Sequence, residues 1–155
     1  MKPMSVIVRT MTRSLYPFIL LFGAYLVVHG HLTPGGGFQG GAVAASAIAL
    51  AIAAFGGTKA YHEKTLALFE SGGLLFFLSL GLIGMGVAFM WNFLAGSGSL
   101  FGDPVAYGSN PGYLNTAGTI PLMNIAVGLE VVGGLGAIML AMGSYAFDED
   151  KEVSS

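Results

Sequence analysis

The chain of 155 residues contains no cysteine. That excludes a disulfide framework, a thiolate metal site and a cysteine nucleophile. Charge is nearly as scarce: Asp, Glu, Lys and Arg together make up 9% of the residues, against about 25% in an ordinary soluble domain. With 54% hydrophobic residues and a mean hydropathy of +0.75, most of the chain is built not to meet water. The formal net charge of −2 provides no basic surface, so nucleic acid is not an expected partner. The serines have no histidine and acid at a recognisable spacing, which argues against a hydrolase. These absences point to an all-α integral membrane protein of one domain, with no catalytic centre of its own, no cofactor and no metal site.

Glycine, by contrast, is abundant, with 25 residues. Five of them, Gly35, Gly36, Gly37, Gly40 and Gly41, fall within seven positions of the stretch from His29 to Gly41. Proline fixes φ and removes a donor, while glycine admits positive φ and close backbone approach. The stretch therefore reads as a tight, bare-backbone turn between two apolar runs. Pro34 starts it, and Phe38 is a single large side chain set for docking. The spacing Gly35, Gly37, Gly40 matches a dinucleotide fingerprint, but the flanks are apolar and no acid occurs between Gly41 and Lys59. No Gly-Lys-Ser or Gly-Lys-Thr is present either, which excludes a phosphate loop.

Four apolar segments are long enough to cross a hydrocarbon core of ~30 Å. Their expected limits are about 14–32, 39–57, 66–94 and 119–147. Pro17 and Pro121 fall in first turns on these limits, where a missing N–H costs little. The second segment is nearly all Ala, Ile, Val and Gly, with a small face at Ala42, Ala45, Ala49 and Ala53 suited to close helix contact. Trp91 reads as an interfacial anchor of the third. The first run follows basic residues but lacks a small-residue cleavage site, so it reads as a retained span. Lys2, Arg9, Arg13, Lys59, Lys64 and Lys151 all fall on one side of a four-span topology. The positive-inside rule then puts both termini in the cytoplasm and Pro34 and Asp103 outside.

The candidate chemistry lies in four residues of an ion pathway: Glu130, Asn124, Glu70 and His29. Glu130 lies near the middle of the fourth span. An acid there costs at least ~2.5 kcal/mol, and such residues face a bundle interior or a water path. Gly133 and Gly134 leave space beside it. Glu70 lies in the first turns of the third span, where a helix N-terminus favours an acid. Asn124 is a candidate for interhelical hydrogen bonding. His29 and His31 are two positions apart, so they cannot chelate one metal from one helix face.

Two motifs, His31 to Gly41 after the first span and Asn124-Ile-Ala-Val-Gly-Leu-Glu130 on the last, resemble the B-type subunit of multisubunit Mrp-type Na⁺/H⁺ antiporters. The resemblance extends over about residues 6–147 and includes related subunits of archaeal membrane-bound hydrogenase and sulfur-reducing complexes. It implies a small four-helix subunit without a redox centre, packed in a hetero-oligomeric complex among other Mrp-type membrane subunits, with hydrogenase-like or other redox subunits in some hosts. Na⁺ or H⁺ is the implied cargo. Pro34, Gly35, Gly36, Gly37, Phe38, Gly40 and Gly41 match the family's turn, and Glu130 matches its acid after Val-Gly-Leu. Two other readings stay open on the residues alone: a stand-alone four-helix proton-coupled cation exporter, and a structural subunit that only packs helices.

Overall fold

A computed structural model describes residues 3–32, 34–56, 61–105 and 113–153, with side chains described as far as residue 144. Lys2, Thr33, Gly57, Lys59 and the side chain of Lys151 lie outside the described residues. The described chain is all-helical: α1 (Val6–Val28), α2 (Gly36–Phe55), α3 (Glu63–Ile83), a 3₁₀ turn at Gly84–Gly86, and α4 (Ile120–Val153). All four α-helices are long and apolar enough to span a membrane, α4 over Ile120–Ser144. The protein is a multi-pass membrane protein.

The helices pack in the order α1, α2, α4, α3. The inner position of α2 follows from its composition. Ala45, Ala47, Ile48, Ala51, Ile52 and Ala54 are all buried, so α2 is enclosed on several sides rather than along the single alanine face expected. A satellite core of Ile48, Ile52 and Leu66 forms where α2, α3 and α4 meet. The outer helices expose large side chains such as Phe18 and Leu21 on α1 and Leu75 on α3. In a membrane these meet lipid tails or other proteins, not water.

Several limits differ from the sequence expectation. Helix α1 begins at Val6, not near 14, because Ser5 caps it by accepting from the Val8 N–H at 3.5 Å. Arg9 and Arg13 therefore lie within its first eight residues, and Pro17 lies in its interior. Arg13 is accommodated with its guanidinium 5.5 Å from the centre of the Phe55 ring, a cation–π contact. Helix α2 begins at Gly36, so Gly36, Gly37, Gly40 and Gly41 form its first turns and the non-helical turn ends at Gly35. Gly35 has φ +117°, a value that L side chains rarely adopt. The acidic tail continues α4 to Val153 rather than leaving the helix at Asp148.

The third span is the largest correction. It ends with the turn at Gly86, not near Leu94. The chain folds back there: Met90 N–H donates to the Gly81 carbonyl at 3.2 Å, and a methyl on Gly84 would lie 2.7 Å from Trp91 N. Trp91 is half exposed on this returning segment rather than at the end of a helix. Asn92 then ties the loop to the start of α4. Its Nδ2 donates to the Ala117 carbonyl at 3.0 Å, and its Oδ1 accepts from Thr119 N–H at 2.8 Å and Thr119 hydroxyl at 3.1 Å. A second clasp joins Asn115 Nδ2 to Asp103 Oδ2 at 2.7 Å, with Phe101 N–H donating to Asn115 Oδ1 at 2.6 Å.

At the opposite end of the bundle, Met4 N–H donates to the Ala54 carbonyl at 3.1 Å, and Tyr61 hydroxyl donates to Tyr16 hydroxyl at 3.2 Å. Burial, then the hydrogen bond to Tyr16, push the Tyr61 phenol above its ordinary value. Arg9, Arg13 and Lys64 lie at this same end.

Candidate ion-handling site

Helices α3 and α4 are antiparallel and carry similar tetrads on their contact seam. Glu70-Ser-Gly-Gly73 lies on α3 and Glu130-Val-Val-Gly133 on α4. Residues three apart share a helix face. The glycines are what let the backbones touch. A methyl on Gly73 would lie 2.6 Å from Glu130 N and 3.0 Å from its Cα. A methyl on Gly133 would meet the Glu70 backbone N, with Glu70 Cα at 2.9 Å. Each glycine thus seats the main chain of the acid on the other helix. Three residues of helix rise ~4.5 Å, so the two acids sit about one turn apart in depth on one seam.

Their side chains differ in cover. Glu130 is half-buried, whereas Glu70 is exposed on the chain's own surface. Gly134, next to Gly133, explains part of this exposure: a methyl there would come 3.6 Å from Glu70 Oε1, so the missing side chain leaves that carboxylate uncovered. Glu70 lies seven residues past Glu63, about two turns into α3; the first-turn acid is Glu63.

Asn124 belongs to a different seam. Its carboxamide is wedged between Gly30 and Gly36: a methyl on Gly30 would lie 2.8 Å from Asn124 Nδ2, and one on Gly36 3.0 Å from Asn124 Oδ1. Gly37 rests on the Asn124 carbonyl, and Gly41 on the Gly128 carbonyl and Val131. Gly40 faces the other way, toward Gly23 and Val27 of α1. The glycines at the start of α2 are therefore divided between its two neighbours. Asn124 Nδ2 and both ring nitrogens of His31 are buried without a hydrogen-bond partner among the described residues. His29 ends α1, with Nδ1 donating to the Tyr25 carbonyl at 3.0 Å and its ring stacked on Tyr25 at 4.1 Å.

The four residues of the expected pathway thus fall into two groups. Glu70 and Glu130 come together on the α3·α4 seam. Asn124 and His29 lie with the glycines where α1 and α2 join. Phe38 is 63% exposed. Sequence reasoning missed that Glu70 and Glu130 share the α3·α4 seam, although the repeated Glu-x-x-Gly spacing was a visible signal. It also missed Asn92 and Asn115, whose clasps had none. Among the described residues, no group of three His, Asp or Glu gathers as a metal site.

An antiparallel pair of apolar helices with two acids on a glycine-lined seam, inside a four-helix membrane bundle, defines the class: a multi-pass membrane protein with ionisable groups at helix contacts. Residues 7–137 match the model of the domain related to the MnhB subunit of Na⁺/H⁺ antiporter. The chain belongs to this MnhB family. It is 32% identical over 149 residues to a Staphylococcus haemolyticus protein named as antiporter subunit mnhB2, covering 92% of this chain and 96% of that one. It is also 41% identical over 122 residues to an uncharacterized protein of Methanocaldococcus jannaschii, covering 76% of this chain and 44% of that one. Among solved structures, a chain of the membrane-bound sulfane sulfur reductase, an archaeal respiratory membrane complex, is similar with TM-score 0.71 and 35% identity. That match covers 89% of this chain and 57% of the other. The chain thus spans about half the length of two of these relatives.

Proposed function

We propose that this chain is a membrane subunit of a multisubunit monovalent cation/proton antiporter module, either in a free Mrp-type antiporter or within a respiratory complex such as a membrane-bound hydrogenase. Its contribution to Na⁺/H⁺ translocation runs through Glu130, with Glu70 one turn away and with Asn124 and His29 toward the other end of the bundle. Both termini are cytoplasmic in this reading, because Arg9, Arg13 and Lys64 lie at one end. The chain carries no redox centre; any electron-transfer chemistry belongs to other subunits.

The observation that carries the reading is that both acids lie on the α3·α4 seam, the main chain of each against a glycine of the other helix. An isolated carboxyl in a membrane helix fits a packing role with one hydrogen bond. Two on one seam, at neighbouring depths, give a proton or cation successive positions. Half-burial of Glu130 keeps one side of it open to a path. The family description, which names a Na⁺/H⁺ antiporter, supports the choice of cargo.

The test is Glu130→Gln in the complete complex, reconstituted in vesicles. Glutamine keeps shape and hydrogen bonding but cannot titrate. Subunit yield should stay unchanged, while Na⁺/H⁺ exchange falls by about tenfold or more, as when a proton-carrying group is removed. Undiminished exchange would reject the ion-handling role and favour a purely structural subunit. Exchange by the chain purified alone would favour the stand-alone exporter.

A further inference from the structure

The Glu70 carboxylate poses a physical problem that this chain does not solve. It lies seven residues past Glu63, the start of α3, which is ~10 Å along the helix axis. It is exposed, and no hydrogen bond or ion pair from the described residues reaches it. Its neighbours on that side are apolar or small: Ala67, Leu74 and, across the seam, Gly134 and Ile138, with Leu74 46% and Ile138 53% exposed. Hydrocarbon offers a carboxylate neither a hydrogen bond nor a counter-charge.

Taking the chain to be a subunit of a larger complex, as above, we propose that this open side of the α3·α4 seam receives a transmembrane helix of another subunit, and that this helix presents a lysine or arginine to Glu70. Charge complementarity selects the occupant. An apolar helix would leave the acid buried and unpaired, the costly arrangement for any ion in a low-dielectric setting. A lipid tail provides no donor at this depth. A second copy of this chain is a poor match. Its Arg13 is already held over Phe55 and the Nε of its Arg9 is buried, while Lys64 lies at the start of α3, about two turns from Glu70 along the helix. The surface is also shaped for a helix. Gly134 has only the Glu70 carboxylate within reach of an added methyl, so a partner backbone can approach closely there, as small residues allow in membranes. The apolar rim of Leu74 and Ile138 then packs around the ion pair.

The experiment uses the intact complex expressed from its own genomic locus. A photo-reactive amino acid replaces Ala67 or Leu74, and the cross-linked peptides are identified by mass spectrometry. The expected result is one helix of another subunit, with a lysine or arginine within one turn of the cross-link. Glu70→Lys should then reduce recovery of that subunit to the level of an untagged control, and reversing the partner's basic residue to glutamate should restore it. Cross-links to lipid alone, to a second copy of this chain, or to a helix without a basic residue would each overturn the proposal. So would full recovery of the complex with Glu70→Lys. Because cross-linking uses the native Glu70, a variant that fails to fold does not decide the outcome. If the wild-type chain copurifies with no other subunit, the subunit reading itself fails; if it copurifies but the cross-links disagree, only the docking proposal does.

Discussion

Gly73 of α3 lies against the main chain of Glu130 of α4, and Gly133 of α4 lies in the same way against Glu70 of α3. The two contacts hold the helices close enough for both acids to share a seam. Gly73→Val and Gly133→Val should each force the helices apart, because the nearest atoms are backbone and cannot yield. Overpacking of this kind costs ~1–3 kcal/mol. Gly72→Ala is the control, since nothing lies within 4 Å of a methyl there. Thermal unfolding of the purified complex should show both valine variants less stable and Gly72→Ala unchanged. Equal stability of Gly73→Val and Gly72→Ala would mean that the seam is loose.

Gly36 combines a φ of +54° with a carboxamide oxygen of Asn124 beside its α-carbon. A branched side chain there meets both obstacles, and backbone strain in this region costs of order 1–3 kcal/mol. Gly36→Val should therefore reduce assembly more than Phe38→Ala does, because Phe38 is exposed and its loss removes only an outward contact. Native gels of the complex measure the difference. A Gly36→Val complex that migrates intact would show that the start of α2 tolerates rearrangement.

Asn92→Ala should loosen the loop ahead of α4. It deletes three hydrogen bonds to Ala117 and Thr119 at once. Leaving buried partners unsatisfied costs ~1–3 kcal/mol for each group, and Thr119 is buried. Limited proteolysis between residues 95 and 118 should accelerate, while the helices themselves remain protected. An unchanged cleavage pattern would place the loop's order in other contacts.

Orientation is tested with single cysteines, which the wild-type chain conveniently lacks. Ser99→Cys should react with a membrane-impermeant reagent applied from outside intact cells, and His62→Cys only after permeabilisation. Both positions are exposed. Labelling of His62→Cys from outside would invert the assigned topology, and labelling of both would contradict four spans.

Composition and hydropathy were enough to reach the class of protein and the number of spans, because a membrane solvent punishes charge and rewards long apolar runs wherever they occur in the chain. The motifs around Pro34 and Glu130 were enough to reach the family. Helix limits were less legible. The apolar run beyond Ile83 reads as more helix, yet the chain returns on itself, with Met90 bonded to Gly81 and Trp91 packed against Gly84, a reversal that hydropathy does not signal. The glycines after Pro34 looked like a turn because glycine is a poor helix former; in the folded chain they are helical because α1 and Asn124 need their empty Cβ positions.

The sequence by itself determined that Glu70 and Glu130 lie inside apolar segments, since that depends only on their neighbours along the chain. Only the tertiary structure decided that they share a seam and that Asn124, six residues from Glu130, does not join them. Helical rotation turns Asn124 toward the start of α2, and antiparallel packing through Gly73 and Gly133 brings together two acids 60 residues apart in the chain. That relation depends on which glycine meets which backbone.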